Sequence, residues 1–504
     1  MRNRKLKLKF TWLIIFLLGV SSFSFAQIPL TIELALDIAE ENNPSLRTSK
    51  LNLERSLYSL QAQRASLKPA FSLSLDPFSY SQNRSFDNRF SEWYTSKNMS
   101  SGGTFRTELP FLLTDGTLSL TNRLRWQNNE STNQNGTNLN KAFSNDLRLR
   151  YDQPIFSSYN SQRMAFKQLE FNYENAGISY ALRRLSTENS ITSQFYNVYI
   201  AQERLLINNA EYENSKGNYE IMKSRVEAGL SAREELSQAE VNLLSAESSV
   251  EDSKVSLANF KDNLKQTLGM PLSEDIIVIA NVDEASLLLV NPEQAVDRGL
   301  SSRMELRQRE ISLEEAEMAM LRTKANDEFR GNVSLSLGVT GDDRRFTNIY
   351  ESPTSSPSIS ISLSVPIFDW GARKARLNAQ KTAQTIAALN YEDEMVGIEL
   401  EIRRVIRALN NYYNQIQIYE KRLMNAQNSY DLSSIKYREG DITGMDLNLS
   451  QTQLSNAKIS LMRARVDYKN QLLILKIATL YDYEQDKAIV PVRELGDTSG
   501  DIKF

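Results

Sequence analysis

Few residues in this 504-residue chain are equipped for chemistry. Histidine and cysteine are both absent. That removes the commonest general base and metal ligand, and with them disulfides, thiolate metal sites and lipid attachment through an N-terminal cysteine. No nucleotide-binding glycine loop occurs. The 12 methionines are scattered, so soft-metal handling has no support. What remains is a pair of acids at matching places: Glu235 lies six residues after Gly229, and Asp446 six after Gly440. Repeated around an axis, each becomes a ring that favours cations and whose like charges raise one another's pKa. On an ordinary helix face the same acids are simply solvated. Tyr437 stands where it can hydrogen-bond to Glu235 and latch the two turns. With no convergent nucleophile or acid–base set, neither an enzyme nor a cofactor is expected.

These acids sit just past the tips of two long helical hairpins. Heptad-spaced apolar residues run from Ile402 through Val405, Leu409, Tyr412, Ile416, Tyr419 and Leu423 to Tyr430, the 3.5-residue period of helices that wind around each other. Gly229 and Gly440 stop the first arm of each hairpin, and a positive φ there lets the chain reverse. Upstream of the second hairpin, Ile359, Ile361, Leu363 and Val365 alternate with serines at 358, 360, 362 and 364, giving a strand with one apolar and one hydroxyl face. Such a strand suits a soluble sandwich or a membrane barrel with a wet lumen. Pro366 closes it.

Basic residues at 2, 4, 5, 7 and 9 precede an apolar run to Val20 and the small residues at 24–26, so 1–26 reads as a Sec signal peptide cleaved after Ala26. Without those five, the chain carries 54 basic against 62 acidic side chains, a net of −8, and nucleic-acid binding is not indicated. No later stretch has the roughly 18 apolar residues of a membrane helix, so a membrane-resident form must be a closed barrel.

The chain is duplicated. Pro154 to Gly229 is 75 residues and Pro366 to Gly440 is 74, while Gly229 to Leu268 is 39 and Gly440 to Leu480 is 40. A shift of 211 carries Leu454, Ala457 and Leu461 onto Leu243, Ala246 and Val250. The first repeat spans 27–270, with a helix, strands within 70–153 and a helical hairpin at 158–268. A linker at 271–291 follows. The second repeat spans 292–483, with a helix over 291–326, strands within 331–365 and a hairpin at 371–482; 484–504 is an irregular tail. Residues 77–104 and 127–142, rich in Ser, Asn and Thr, read as irregular loops. The first repeat carries about 48 extra residues, and whether they add membrane strands is open.

Helix, strand, loop, strand, proline hinge, long helix, glycine tip and return helix, performed twice, resembles the TolC family of outer-membrane efflux and secretion channels. The resemblance is carried by PIFDWG at 366–371, PIF at 154–156, VEAGL at 226–230 and YREGDIT at 437–443. It implies a mixed, mostly α fold: a periplasmic barrel of coiled-coil helices plus about four transmembrane strands per chain, closed by a homotrimer into twelve. It also implies strand–helix hinges at Pro69, Pro154 and Pro366, and residence in the outer membrane of a Gram-negative bacterium. The partners implied are outer-membrane lipid, a periplasmic adaptor protein and an inner-membrane pump of RND or ABC type. The adaptor would dock on tips formed by Gly229, Leu230 and Ser231 and by Gly440, Asp441, Ile442 and Thr443. Glu235, Tyr437 and Asp446 would line the aperture. The expected function is a passive, gated exit duct of a tripartite efflux or type I secretion system. The alternative is a periplasmic coiled-coil scaffold or surface adhesin whose strands form a soluble sandwich.

Overall fold

A computed structural model describes residues 28–89, 91–133, 136–282 and 288–489. The signal peptide, residues 283–287 of the linker and 490–504 of the tail lie outside the described residues. The chain forms two compact units that cut across the repeats, each unit taking a part of both.

In chain order the elements are β1 (Ile28–Leu30), α1 (Ile32–Asn42), α2 (Pro44–Ser66), β2 (Ala70–Asp87), β3 (Glu92–Pro110), β4 (Thr117–Asn133), β5 (Gly136–Ile155), α3 (Ser161–Glu227) and α4 (Arg233–Leu268). Then come β6 (Ile276–Val278), α5 (Pro292–Ser302), α6 (Met304–Asn326), β7 (Arg330–Asp343), β8 (Thr354–Ser364), α7 (Ala372–Glu439), α8 (Gly444–Thr479), β9 (Tyr481–Asp482) and β10 (Lys487–Ala488). Helix lengths pair off: 11 with 11 for α1 and α5, 23 with 23 for α2 and α6, 67 with 68 for α3 and α7, and 36 with 36 for α4 and α8.

The first unit takes the described residues of 28–50, 180–303 and 397–489. Its core gathers Leu30, Ala35, Ala39, Ile191, Phe195, Val198, Leu264, Leu268 and Ile276, with β1 and β6 paired in parallel beside them. Each fully buried aliphatic or aromatic side chain there contributes about 1.5–3 kcal/mol. Asn43 ends α1: its Oδ1 accepts from Leu46 N at 2.9 Å, and its Nδ2 donates to the Thr267 carbonyl at 2.6 Å. The single helix expected over 291–326 is likewise broken, at Arg303, although no proline stands there. Arg303 turns to extended backbone, donates to the Ala478 carbonyl at 3.4 Å and pairs with Glu401 at 3.1 Å. Thr267 and Ala478 differ by the repeat shift of 211, so each break receives the last turn of its own return helix. The first tail residues are ordered, with β9 and β10 forming a small antiparallel pair.

The second unit takes the described residues of 51–179 and 304–396. Its sheet has six strands in the order β2-β3-β4-β5-β7-β8, every neighbouring pair antiparallel. This corrects the expectation of about four strands per chain. The segments at 77–104 and 127–142 belong to strands, not loops. Their polar side chains hide the period of two, while the backbone ladder continues through Asp87↔Glu92 and Asn133↔Gly136. The extra residues of the first repeat are the hairpin β3–β4. The β2–β3, β4–β5 and β7–β8 ends meet at one end of the sheet, and the four helix junctions and the turn at 111–116 lie at the other.

Candidate functional site

At the first tip, the Gly229 N–H donates to the Val226 carbonyl (3.0 Å) and the Leu230 N–H to Arg225 (2.8 Å). The second tip repeats this: Gly440 to Tyr437 at 3.2 Å and Asp441 to Lys436 at 2.9 Å. This double bond pattern closes a helix on a left-handed residue, and φ is +73° at Gly229 and +88° at Gly440. Leu230 is 78% exposed. Ser231 is half-buried, Asp441 exposed, and Ile442 half-buried against the cluster of Met222, Tyr437 and Leu447.

Tyr437 lies inside that cluster at 4% exposure, with the Arg225 guanidinium 5.6 Å from its ring centre. Arg225 Nη2 also donates to the carbonyls of Tyr437 (3.5 Å) and Arg438 (3.2 Å). Burial pushes the Tyr437 phenol above its ordinary pKa. Its placement is that of a packing anchor between the two hairpins, and Glu235 is exposed. Asp446 forms a capping box: its N–H donates to Thr443 Oγ1 (3.3 Å), while its Oδ2 accepts from the Thr443 N–H (3.1 Å) and hydroxyl (2.7 Å). Those bonds hold its carboxyl below the usual carboxylate range. At the equivalent place in the first tip, Ala232 offers no side-chain cap.

At the strand–helix junctions, Pro69 sits between α2 and β2, and Pro366 follows β8. Pro154 lies within β5 opposite Asn332, two residues beyond the last β4 pair at Asp152. Phe156 (φ +62°) and Trp370 (φ +56°) turn the chain after their prolines in left-handed backbone. Asp369 caps α7 by accepting from the N–H groups of Gly371 and Arg373. For α3 the acid comes from elsewhere: Asp115, in the β3–β4 turn, accepts from the N–H groups of Ser161 (3.1 Å) and Gln162 (3.0 Å) and from the Ser161 hydroxyl. Asn160 returns a bond to the Leu112 carbonyl at 2.7 Å. In the sequence Asp115-Gly116 is a turn signal with no mark of this second role, whereas Asp369, three residues before a helix, is a readable cap. The cluster joining Arg307 to Glu174 (2.7 Å), Glu310 (3.1 Å) and Glu314 (3.4 Å), with Lys167 on Glu314 (2.9 Å), also went unread. Lys167 is the main reason the Glu314 carboxyl is held low.

Across the sheet the pairing register builds rows. Phe71, Thr107, Leu120, Leu149, Leu337 and Pro357 form one; Leu109, Leu118, Tyr151, Leu335 and Ile359 form the next. Between them, on the opposite face, lie Ala70, Glu108, Ser119, Arg150, Ser336 and Ser358. One face is therefore mainly apolar and the other mainly polar through all six strands, with Thr107, Asn122 and Asn145 lying in the apolar rows. The apolar face has no protein over its ends: Phe71 is 71% and Ile359 75% exposed.

Residues 323–479 match the outer membrane efflux protein family. Nodulation protein T of Rhizobium leguminosarum bv. trifolii is 22% identical over 60% of this chain. The match spans 64% of that relative, just under two thirds of its length. Cation efflux system protein CusC of Escherichia coli K12 is 21% identical over 64% of this chain and 68% of its own. The crystal structure of the Campylobacter jejuni CmeC outer membrane channel shares the fold, with a TM-score of 0.68 at 16% identity over 94% of this chain and 90% of that one. With its six-stranded amphipathic sheet and paired helical hairpins, the chain has the fold of that outer membrane channel and, over residues 323–479, the sequence pattern of the outer membrane efflux protein family.

Proposed function

We propose that the protein is a passive exit duct in the outer membrane of a Gram-negative bacterium, working as a homotrimer in a tripartite efflux or type I secretion system. The observation that carries this reading is the sheet, which presents one mainly apolar face and one mainly polar face and is open at both edges. Open edges are not tolerated in lipid, so copies must complete the ring. From the row of Tyr151 to the row of Tyr80 and Asn128 is ten residues of strand, about 25 Å when tilted, the height of an outer-membrane apolar band. Tyr151 at one level and Tyr80 and Trp126 at the other suit the aromatic girdles of such a band. The helices favour assembly too: Leu432 and Leu449 are each 60% exposed, a stripe that neighbouring copies would cover.

In this reading, cargo arrives from an inner-membrane pump of RND or ABC type through a periplasmic adaptor docked on Gly229, Leu230 and Ser231 and on Gly440, Asp441, Ile442 and Thr443. It diffuses past an aperture near Glu235, Tyr437 and Asp446 and leaves along the polar face of the sheet. Pro69, Pro154 and Pro366 serve as the strand–helix hinges. The test is purification from envelopes, with mass measured in detergent and conductance in a planar bilayer. A conducting trimer extracted only by detergent is the expected result. A salt-extracted rod that never conducts would instead support the scaffold or adhesin reading.

A further inference from the structure

We propose that the β3–β4 hairpin adds two staves to the barrel wall of each chain, so that three copies close eighteen strands into a bore as wide as the helical tube beneath it. The inference rests on the exit-duct reading above. Its occupant for the open sheet edges is a second copy of this chain, with β2 of one meeting β8 of the next. β2 rises from α2 and β8 descends into α7, so the two edges meet antiparallel and continue the alternation of the whole sheet. All eleven residues of β8 are exposed, and its isoleucines lie in phase with Phe71, Leu73 and Leu75 of β2.

Two further observations put the hairpin in the wall and not in a plug or an outer flap. First, β3 and β4 are paired on both sides along nearly their full lengths, and Leu109, Phe105, Leu118, Leu120 and Leu124 extend the apolar face without a change of phase. A plug would be polar along that whole face, whereas Thr107 and Asn122 are the polar residues between these apolar ones. Second, the hairpin's inner turn is bonded to the start of α3 through Asp115 and Asn160, which fixes it at the level where helices join the sheet.

Circumference supplies the reason. Four helices per chain join the sheet, so a trimer has twelve, which side by side at roughly 9 Å occupy about 110 Å. Eighteen strands at about 4.8 Å spacing and a tilt of about 40° also occupy about 110 Å, whereas twelve occupy about 75 Å. The extra staves remove the taper between tube and barrel. The lumen cross-section becomes about twice that of a twelve-stranded barrel, because diameter grows with strand number. Size selection then falls to the helical tips, and the barrel passes whatever the tips admit.

The test uses the full-length trimer in detergent, spin-labelled at Leu337→Cys on the outward face. Eighteen strands place equivalent backbones about 30 Å apart, and twelve place them about 21 Å apart. The longer distance, with β2-to-β8 cysteine pairs cross-linking between copies, is expected. The shorter distance in a conducting trimer overturns the inference while leaving the duct intact; failure to trimerise or conduct overturns the duct reading itself. A variant joining Asp87 to Gly136, with Ser157→Asp to restore a helix cap, should bring the labels to about 21 Å apart. An unchanged distance in that variant would overturn the inference, and if the variant does not fold the parent distance decides alone.

Discussion

The helix that leaves β8 is capped by Asp369, three residues upstream, whereas the helix that leaves β5 is capped by Asp115, 46 residues away in the inserted hairpin. Counting from the shared Pro-Ile-Phe, the place of Asp369 is held in the first repeat by Ser157, which bonds only to Tyr159. The tips differ in the same sense. Thr443 and Asp446 form a complete capping box, while Ala232 and Glu235, at the shifted positions, form none. At its long hairpin the second repeat uses local acids; the first adds a distant loop to the local Asn160 cap of α3, whose Oδ1 accepts from the Arg163 N–H at 2.8 Å, and goes without a side-chain cap at α4. Two copies of one design can thus carry the same helix lengths while distributing the closing interactions differently.

The largest effect should come where the two repeats meet at the tips. Tyr437→Ala empties a buried aromatic site and should cost about 3 kcal/mol or more, while Tyr437→Phe should cost under about 1. Chemical denaturation of the detergent-solubilised protein measures both. If the two substitutions cost the same, Tyr437 acts through its hydroxyl and the packing account fails.

Asp115→Ala frees two backbone donors and should destabilise by about 1–2 kcal/mol. Adding Ser157→Asp should recover much of that loss by giving the first repeat the cap of the second. No recovery would mean the two junctions are not interchangeable.

Thr443→Ala should cost about 1 kcal/mol. The loss should be full at neutral pH. Asp446 is held below its ordinary pKa, so its contribution is present above the unfolded carboxylate value and disappears as pH falls through the folded one. The difference between variant and parent should therefore shrink in acid, and a difference that grew would contradict the capping box.

Ala232→Ser should have the smallest effect and the opposite sign. With Glu235 already three residues on, it completes a box and should gain about 0.5–1 kcal/mol in thermal or chemical unfolding. An unchanged midpoint would show that the first tip's turn is not free to adopt cap geometry.

Much of the fold was legible before any coordinates. The helix ends at 227 and 439 were visible because glycine stops and heptad periods are local signals, and the apolar strands at 71–75, 118–126 and 333–339 were visible because apolar and polar side chains alternate along them. The polar strands were not. Above the apolar band both faces suit water, so side chains carry no period of two, and only the backbone ladder makes 77–98 and 127–142 strands. Asp115 was hidden for a related reason: a cap delivered from 46 residues away leaves no mark at the helix it serves. Asp446 could be placed at a helix start but not distinguished from an aperture acid, because capping and lining call for the same residue type.

By itself, then, the sequence determined the coiled-coil helices, their glycine reversals and the amphipathic strands, since each is written in spacings shorter than about two helical turns, and the duplication, since those local patterns recur at one fixed shift. Only the tertiary structure decided that the sheet has six strands, that Tyr437 is buried among the tip residues, and that the first repeat adds an acid from a distant turn to the start of α3. Those outcomes depend on which distant segments pair, and pairing between backbone groups is indifferent to the side chains that a sequence displays.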